Sequence, residues 1–158
     1  MRLILLSLVI GLFPAGLAGA ADLPAPLDPS EFTRQSQAEV TLGQMLFYDP
    51  ILSGNRTLSC ATCHHPKFAT GDGVSLGLGD GGVGLGPERG ADPENAPEQR
   101  IPRNAPPLFN LGHKSISVLF ADGRIEFDAN RASGFRTPLE DEMVVGFSGI
   151  LSAQTMFP

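Results

Sequence analysis

Leu58-Ser59-Cys60-Ala61-Thr62-Cys63-His64 is the stretch on which the reading of this chain turns. Its seven residues suit a short helix, and Pro66 closes the segment almost at once. On a helix the two thiols stand one turn apart, so each can add to one vinyl group of a haem, and the next residue places an imidazole nitrogen under the iron. Cys60 and Cys63 are therefore candidate covalent haem anchors and His64 the candidate axial ligand. A disulfide between the cysteines would close too small a loop to stabilise much, and it leaves His64 without a reason. A zinc site needs four ligands, but beyond the thiols only His64, His65 and His113 remain, without a second pair at finger spacing. A thioredoxin-type pair wants a strand before it and a long helix after it, which Pro66 forbids. Haem c is the reading that uses all three residues. His65, next to the ligand, points elsewhere and reads as structural or solvent-facing.

The rest of the composition fits a chain that borrows part of its core. Its 158 residues are one domain at most, and with 19 glycines and 14 prolines much of it must be loop. A buried porphyrin would supply the apolar surface on which Leu42, Met45, Leu46, Phe47, Leu58, Phe68 and Leu108 could pack. The formal charge of -6, without any Lys/Arg cluster, excludes a phosphate-backbone binder, so nucleic acid is not an expected partner.

Residues 1–20 read as a secretory signal: Arg2 is the short positive region, Leu3 to Leu17 the apolar run, and Ala18-Gly19-Ala20 the small-residue cleavage site. The run is interrupted by Pro14 and Gly16 and is shorter than the ~20 residues a membrane span needs. The expected product is a periplasmic chain cut after Ala20, with no membrane association thereafter and 10 basic against 17 acidic side chains. Residues 21–39 are expected to hold a Pro-rich leader and an N-terminal helix opened by Asp28-Pro29-Ser30-Glu31, which has the form of a capping box. Val40, Leu42, Met45, Leu46 and Phe47 suggest a helical stretch with one apolar face, ended by Asp49-Pro50. Positions 71–90 hold nine glycines and positions 87–107 six prolines, so this region is expected to be a draped surface loop. No Gly-Lys-Ser/Thr makes it a phosphate cradle, and Asp72 and Asp80 lack the regular repeat of a calcium-binding array.

Outside the haem motif, four blocks stand in a recognisable order. Leu42-Gly43-Gln44-Met45-Leu46-Phe47-Tyr48-Asp49-Pro50-Ile51-Leu52-Ser53 is followed by Ser59 to His64, then Pro102-Arg103-Asn104-Ala105-Pro106, then Phe120-Ala121-Asp122-Gly123-Arg124. From Val40 to its end the chain resembles the amino-terminal, peroxidatic haem domain of bacterial di-haem cytochrome c peroxidases and the related MauG proteins. The resemblance implies a mostly α, cytochrome c-like haem domain over residues 40–158, with long Gly/Pro-rich loops and with the second haem domain of the family absent. It also implies hydrogen peroxide as substrate, with electrons from a small periplasmic donor, a cytochrome or cupredoxin.

Three positions depart from the family pattern. Ala121 stands where the family carries a tryptophan between its haems. No histidine lies between Pro66 and Pro102 to cap the iron, so an open distal face is expected, with His113 the only remote candidate ligand. Residues 151–158 resemble the family's Leu-x-x-Gln-x-x-x-Pro, which makes Gln154 a candidate distal-pocket residue and places the catalytic glutamate beyond Pro158. A competing alignment sets Glu142-Met143 in the Glu-Met place. Asn104 matches the asparagine that helps hold an interdomain calcium ion, although a turn-stabilising amide accounts for it equally well. The rival function classes are a mono-haem electron carrier closed by Met143 or Met156, with Met45 in the core, and oxidation of a protein partner in the manner of MauG.

Overall fold

The computed structural model describes residues 23–142 and 146–157. The signal segment and its cleavage site after Ala20, and Met143 with the alignment that uses it, lie outside the described residues.

The expectation of a mostly α fold is overturned. Among the described residues three α-helices occur, α1 (Gln37–Tyr48), α2 (Cys60–Cys63) and α3 (Ile150–Gln154), of 12, 4 and 5 residues. Around them lie single 3-10 turns and two small antiparallel sheets. One sheet pairs β1 (Gly82–Val83) with β2 (Gly90–Ala91); the other is a three-stranded meander of β3 (Val118–Leu119), β4 (Ile125–Phe127) and β5 (Phe135–Arg136). The registers set Leu119 opposite Ile125 and Phe127 opposite Phe135. The physical reason is punctuation: glycines and prolines leave few uninterrupted runs long enough to repeat a helical turn, so the backbone closes its hydrogen bonds in turns and two-residue ladders.

α1 begins later than the sequence suggested. Asp28 does cap, accepting the Ser30 N–H at 2.8 Å, but only one 3-10 turn (Pro29–Glu31) follows. Phe32 then runs extended and bridges His113, while the Glu31 carbonyl accepts the Lys114 N–H at 2.9 Å. The helix is opened instead by Ser36 and Glu39, which cap each other's backbone N–H groups reciprocally. It stops where expected: Asp49 donates back to the Met45 carbonyl, and Pro50 cannot continue the ladder.

The hydrophobic core is small. Ile125, Phe135, Ile150 and Ala153 form its buried centre, with Ile116, Leu119, Phe147, Leu151 and Phe157 packed around them, so it is drawn wholly from residues 116–157. Ala61 and Leu78 are buried outside that cluster. α1 packs on α2 yet buries none of its own residues, although Val40, Leu42, Met45, Leu46 and Phe47 all lie on it. α1 therefore leaves apolar surface that the rest of the described chain does not bury.

The Gly-rich region is more ordered than a draped loop. Arg89, only 7% exposed, donates from Nη1 to the Gly84 carbonyl at 2.8 Å and from Nη2 to the Gly79 carbonyl at 2.6 Å, clamping the middle of the region to its end. At Gly86, φ is +66° and a Cβ would overlap the Phe68 ring, so the loop can cross that ring only as glycine.

Candidate haem site

α2 presents the motif. Ser59 and Thr62 bracket it, with Thr62 Oγ1 accepting the Ser59 N–H at 3.0 Å, and the His64 N–H closes the turn on the Cys60 carbonyl at 2.9 Å. Both thiols are free, Cys60 exposed at the start of the helix and Cys63 half-buried at its end. Burial pushes the Cys63 thiol above its ordinary range; the Arg89 charge opposes this, and Asp72 and Cys60 reinforce it.

The orientation of His64 is the most informative feature. After the motif, Pro66–Phe68 makes one 3-10 turn, and Ala69 and Thr70 then both adopt left-handed backbone, with φ of +53° and +61°. The Thr70 N–H returns to the His65 carbonyl at 3.0 Å and the His65 N–H to the Gly71 carbonyl at 3.1 Å. Two consecutive non-glycine residues in this region cost of order 1–3 kcal/mol each, a strain found where a site needs it. Its effect here is to aim the Thr70 carbonyl at His64 Nδ1, 3.1 Å away. The Pro106 carbonyl lies at the same distance, 3.1 Å, from that nitrogen. The segment carrying it is sewn to the turn by the Leu108 N–H, which donates to Thr70 Oγ1 at 2.7 Å. Carbonyls only accept, so Nδ1 carries the ring proton and Nε2 keeps its lone pair free for a metal. Backbone support of this kind also raises a ligand's basicity.

A covalently held haem fits these residues on three independent observations: a histidine with its outer nitrogen free, two unpaired thiols one turn away, and an apolar helix with nothing buried. Leu42 and Met45 stay 52% and 59% exposed, while Leu46, Phe47, Leu58, Phe68 and Leu108 are half-buried. No group of three or more His, Cys, Asp or Glu side chains converges on a metal-binding centre among the described residues.

None of the remaining candidates among the described residues is hydrogen-bonded to the His64 ring, whose partners are the Thr70 and Pro106 carbonyls. His113 is half-buried; its ring meets Phe32 edge-on at 5.2 Å, and its Nδ1 accepts the Ser115 N–H at 3.2 Å. Its proton therefore sits on Nε2, the reverse of the His64 tautomer, which disfavours it as an iron ligand. His65 Nδ1 accepts the Lys67 N–H at 3.1 Å and caps the 3-10 turn, a structural task. Gln154 is half-buried at the end of α3, the helix whose Ile150 and Ala153 belong to the core. Asn104 is exposed and its amide makes no bond among the described residues, so no turn depends on it. Ala121 is exposed in the β3–β4 turn, where Asp122 accepts from Arg124 at 3.0 Å and that guanidinium lies 5.0 Å over the Phe120 ring. Met156 is 58% exposed. Two functional features had no signal in the sequence reading: the Thr70 and Pro106 carbonyls act through backbone, and Arg89 was hidden in the Gly-rich run, although it is the only basic residue between Lys67 and Arg100.

The thiol pair, the held histidine and the uncovered apolar helix suit a domain that carries haem c. A sequence profile of the family described as di-haem cytochrome c peroxidase matches residues 37–156. The chain belongs to that family. It is 35% identical over 127 residues to the "Cytochrome-c peroxidase IdrP2" of Denitromonas iodatirespirans, covering 79% of this chain and 30% of that protein. It is 30% identical over 141 residues to the "Cytochrome c551 peroxidase" of Pseudomonas aeruginosa, 88% of this chain and 35% of that one. With the "Methylamine utilization protein MauG" of Methylorubrum extorquens it shares 38% over 73 residues, 46% of this chain and 16% of the relative. The chain thus spans about a third of the length of the first two. No solved structure matches it. Among the described residues no helix is long and apolar enough to cross a membrane.

Proposed function

We propose that this chain is the haem c-bearing domain of a periplasmic di-haem peroxidase, which reduces hydrogen peroxide with electrons from a small cytochrome or cupredoxin. The observation that carries the reading is the His64 ring, held at Nδ1 by two carbonyls so that Nε2 stays free, in the same motif as two free thiols. The Cys60 and Cys63 thiols would each add across a vinyl group, S–H to C=C, and so tether the cofactor. His64 Nε2 would take the iron. When bound, the haem supplies the redox-active iron at which the peroxide O–O bond is cleaved. The hydrogen bonds from Nδ1 would make the imidazole a stronger donor, the push that favours such cleavage.

The distal side is proposed to be open. His113 is turned away by its own hydrogen bonding, and Gln154 is the residue we assign to orient peroxide through its amide. Asn104 is proposed to offer its unbonded carbonyl oxygen to a calcium ion shared with the rest of the protein. A second haem domain is the proposed electron partner, and residues 1–20 the export signal.

The test is the ferric optical spectrum of the haem-loaded chain, followed by stopped-flow mixing with peroxide. A predominantly high-spin spectrum that shifts with cyanide is expected, with slow turnover of a reduced cytochrome that quickens when a second haem domain is supplied. A low-spin spectrum with a thioether band would overturn the peroxidase reading in favour of a methionine-closed electron carrier, and its loss in Met156→Ala would identify that ligand.

A further inference from the structure

We propose that Tyr48 is the residue through which single electrons pass between the haem site and the protein surface; this rests on the haem reading above. It is the only tyrosine of the chain, which has no tryptophan. Tyr48 is the last residue of α1, and α1 packs directly on α2. Its ring meets that of His65 edge-on, centroids 6.5 Å apart, and His65 follows the haem histidine immediately in the chain. Phe47 at 5.3 Å from Tyr48 and Phe68 at 5.7 Å from His65 continue the ring contacts on either side. The residue therefore touches the haem-binding corner on one side, while 49% of it is open to solvent on the other.

Among these rings only the phenol gives up an electron readily, and it does so once its proton has somewhere to go. His65 is not that place. Its Nδ1 is occupied by the Lys67 N–H at 3.1 Å, so its Nε2 already carries a proton. Tyr48 is about half exposed and its hydroxyl has no hydrogen-bond partner among the described residues, so its proton goes to water. The step balances as follows. Cleaving peroxide to two waters consumes two electrons and two protons; the haem iron held by His64 would give one electron, Tyr48 gives the other, and water supplies the protons. The phenol loses that electron toward the haem and its proton to solvent, leaving a neutral phenoxyl radical. A one-electron donor at the surface then returns an electron, and water returns the proton. The neighbours Met45, Ile51 and Leu52 are all more than half exposed, which gives such a donor apolar surface to meet beside Tyr48.

The uniqueness of Tyr48 makes the test direct, because ring-deuterated tyrosine fed during expression labels this one site. The chain matured with haem is first checked for haem c by its alkaline pyridine spectrum, then frozen after mixing with hydrogen peroxide and examined by electron paramagnetic resonance. The expected result is a tyrosyl signal that narrows on deuteration and is lost in Tyr48→Phe, with the haem c bands unchanged. Haem c bands and a ferric signal consumed by peroxide, without a tyrosyl radical or with the same radical in Tyr48→Phe, would overturn the relay and leave the haem reading standing. Absence of the haem c bands would overturn both.

Discussion

Replacing Gly86 with alanine should loosen the strut that sets His64. The glycine crosses the face of Phe68, and a Cβ would overlap that ring, with Cε1 at 2.7 Å and two further ring atoms nearer. The backbone there is left-handed, φ +66°, which an L side chain adopts at a cost of roughly 1–2 kcal/mol. Overpacking a filled site adds typically ~1–3 kcal/mol. The combined loss is about 2–5 kcal/mol, a large share of the ~5–15 kcal/mol that stabilises a typical domain. It should lower the melting temperature by on the order of 10 °C. Relief by moving Phe68 is not free, because its N–H is bonded to the His65 carbonyl and its carbonyl to the Gly71 N–H, within the turn that aims Thr70 at His64. Thermal and urea unfolding of the haem-loaded chain, with Gly90→Ala as control where a Cβ meets nothing within 4 Å, would read the effect. A Gly86→Ala chain as stable as the control would refute the close packing of loop on ring.

Two other outcomes follow from the same structure. Arg89→Met removes the donors to the Gly79 and Gly84 carbonyls; because water can reach part of that loop, the cost should be about 1–3 kcal/mol in urea unfolding, and a loss below ~0.5 kcal/mol would show that the clamp holds nothing. The Ser36 hydroxyl and then its N–H hold the Glu39 carboxyl below its usual range, so the capping box stabilises the fold at pH values above the unfolded pKa of about 4.3 and loses that contribution as pH falls through the lower folded value. The difference in melting temperature between the wild type and Glu39→Gln should therefore shrink on acidification from pH 6 to pH 3, and a difference independent of pH would contradict it.

What the sequence made legible was what local chemistry decides. The thiol pair and His64 could be read because their spacing has few other uses, and Asp49-Pro50 because proline ends a helix whatever surrounds it. The thin core was legible from glycine and proline content. The start of α1 was not: Asp28 to Glu31 and Ser36 to Glu39 both carry the capping signature, and what separates them is the distant pairing of Phe32 with His113. The β3–β5 meander escaped because its strands are two or three residues long, too short for alternation to register. The supports of His64 escaped because carbonyls carry no residue identity, and a long-range contact such as His64 to Pro106 spans 42 positions.

The central claim is that Cys60, Cys63 and His64 hold one haem c. Intact-mass analysis of the chain, produced in cells with cytochrome c assembly machinery and paired with its alkaline pyridine spectrum, tests this most directly. One covalent haem per chain is expected, stable to acid-acetone extraction, with a single thioether in either Cys60→Ala or Cys63→Ala. An unmodified mass, with both thiols free or joined as a disulfide, would contradict it.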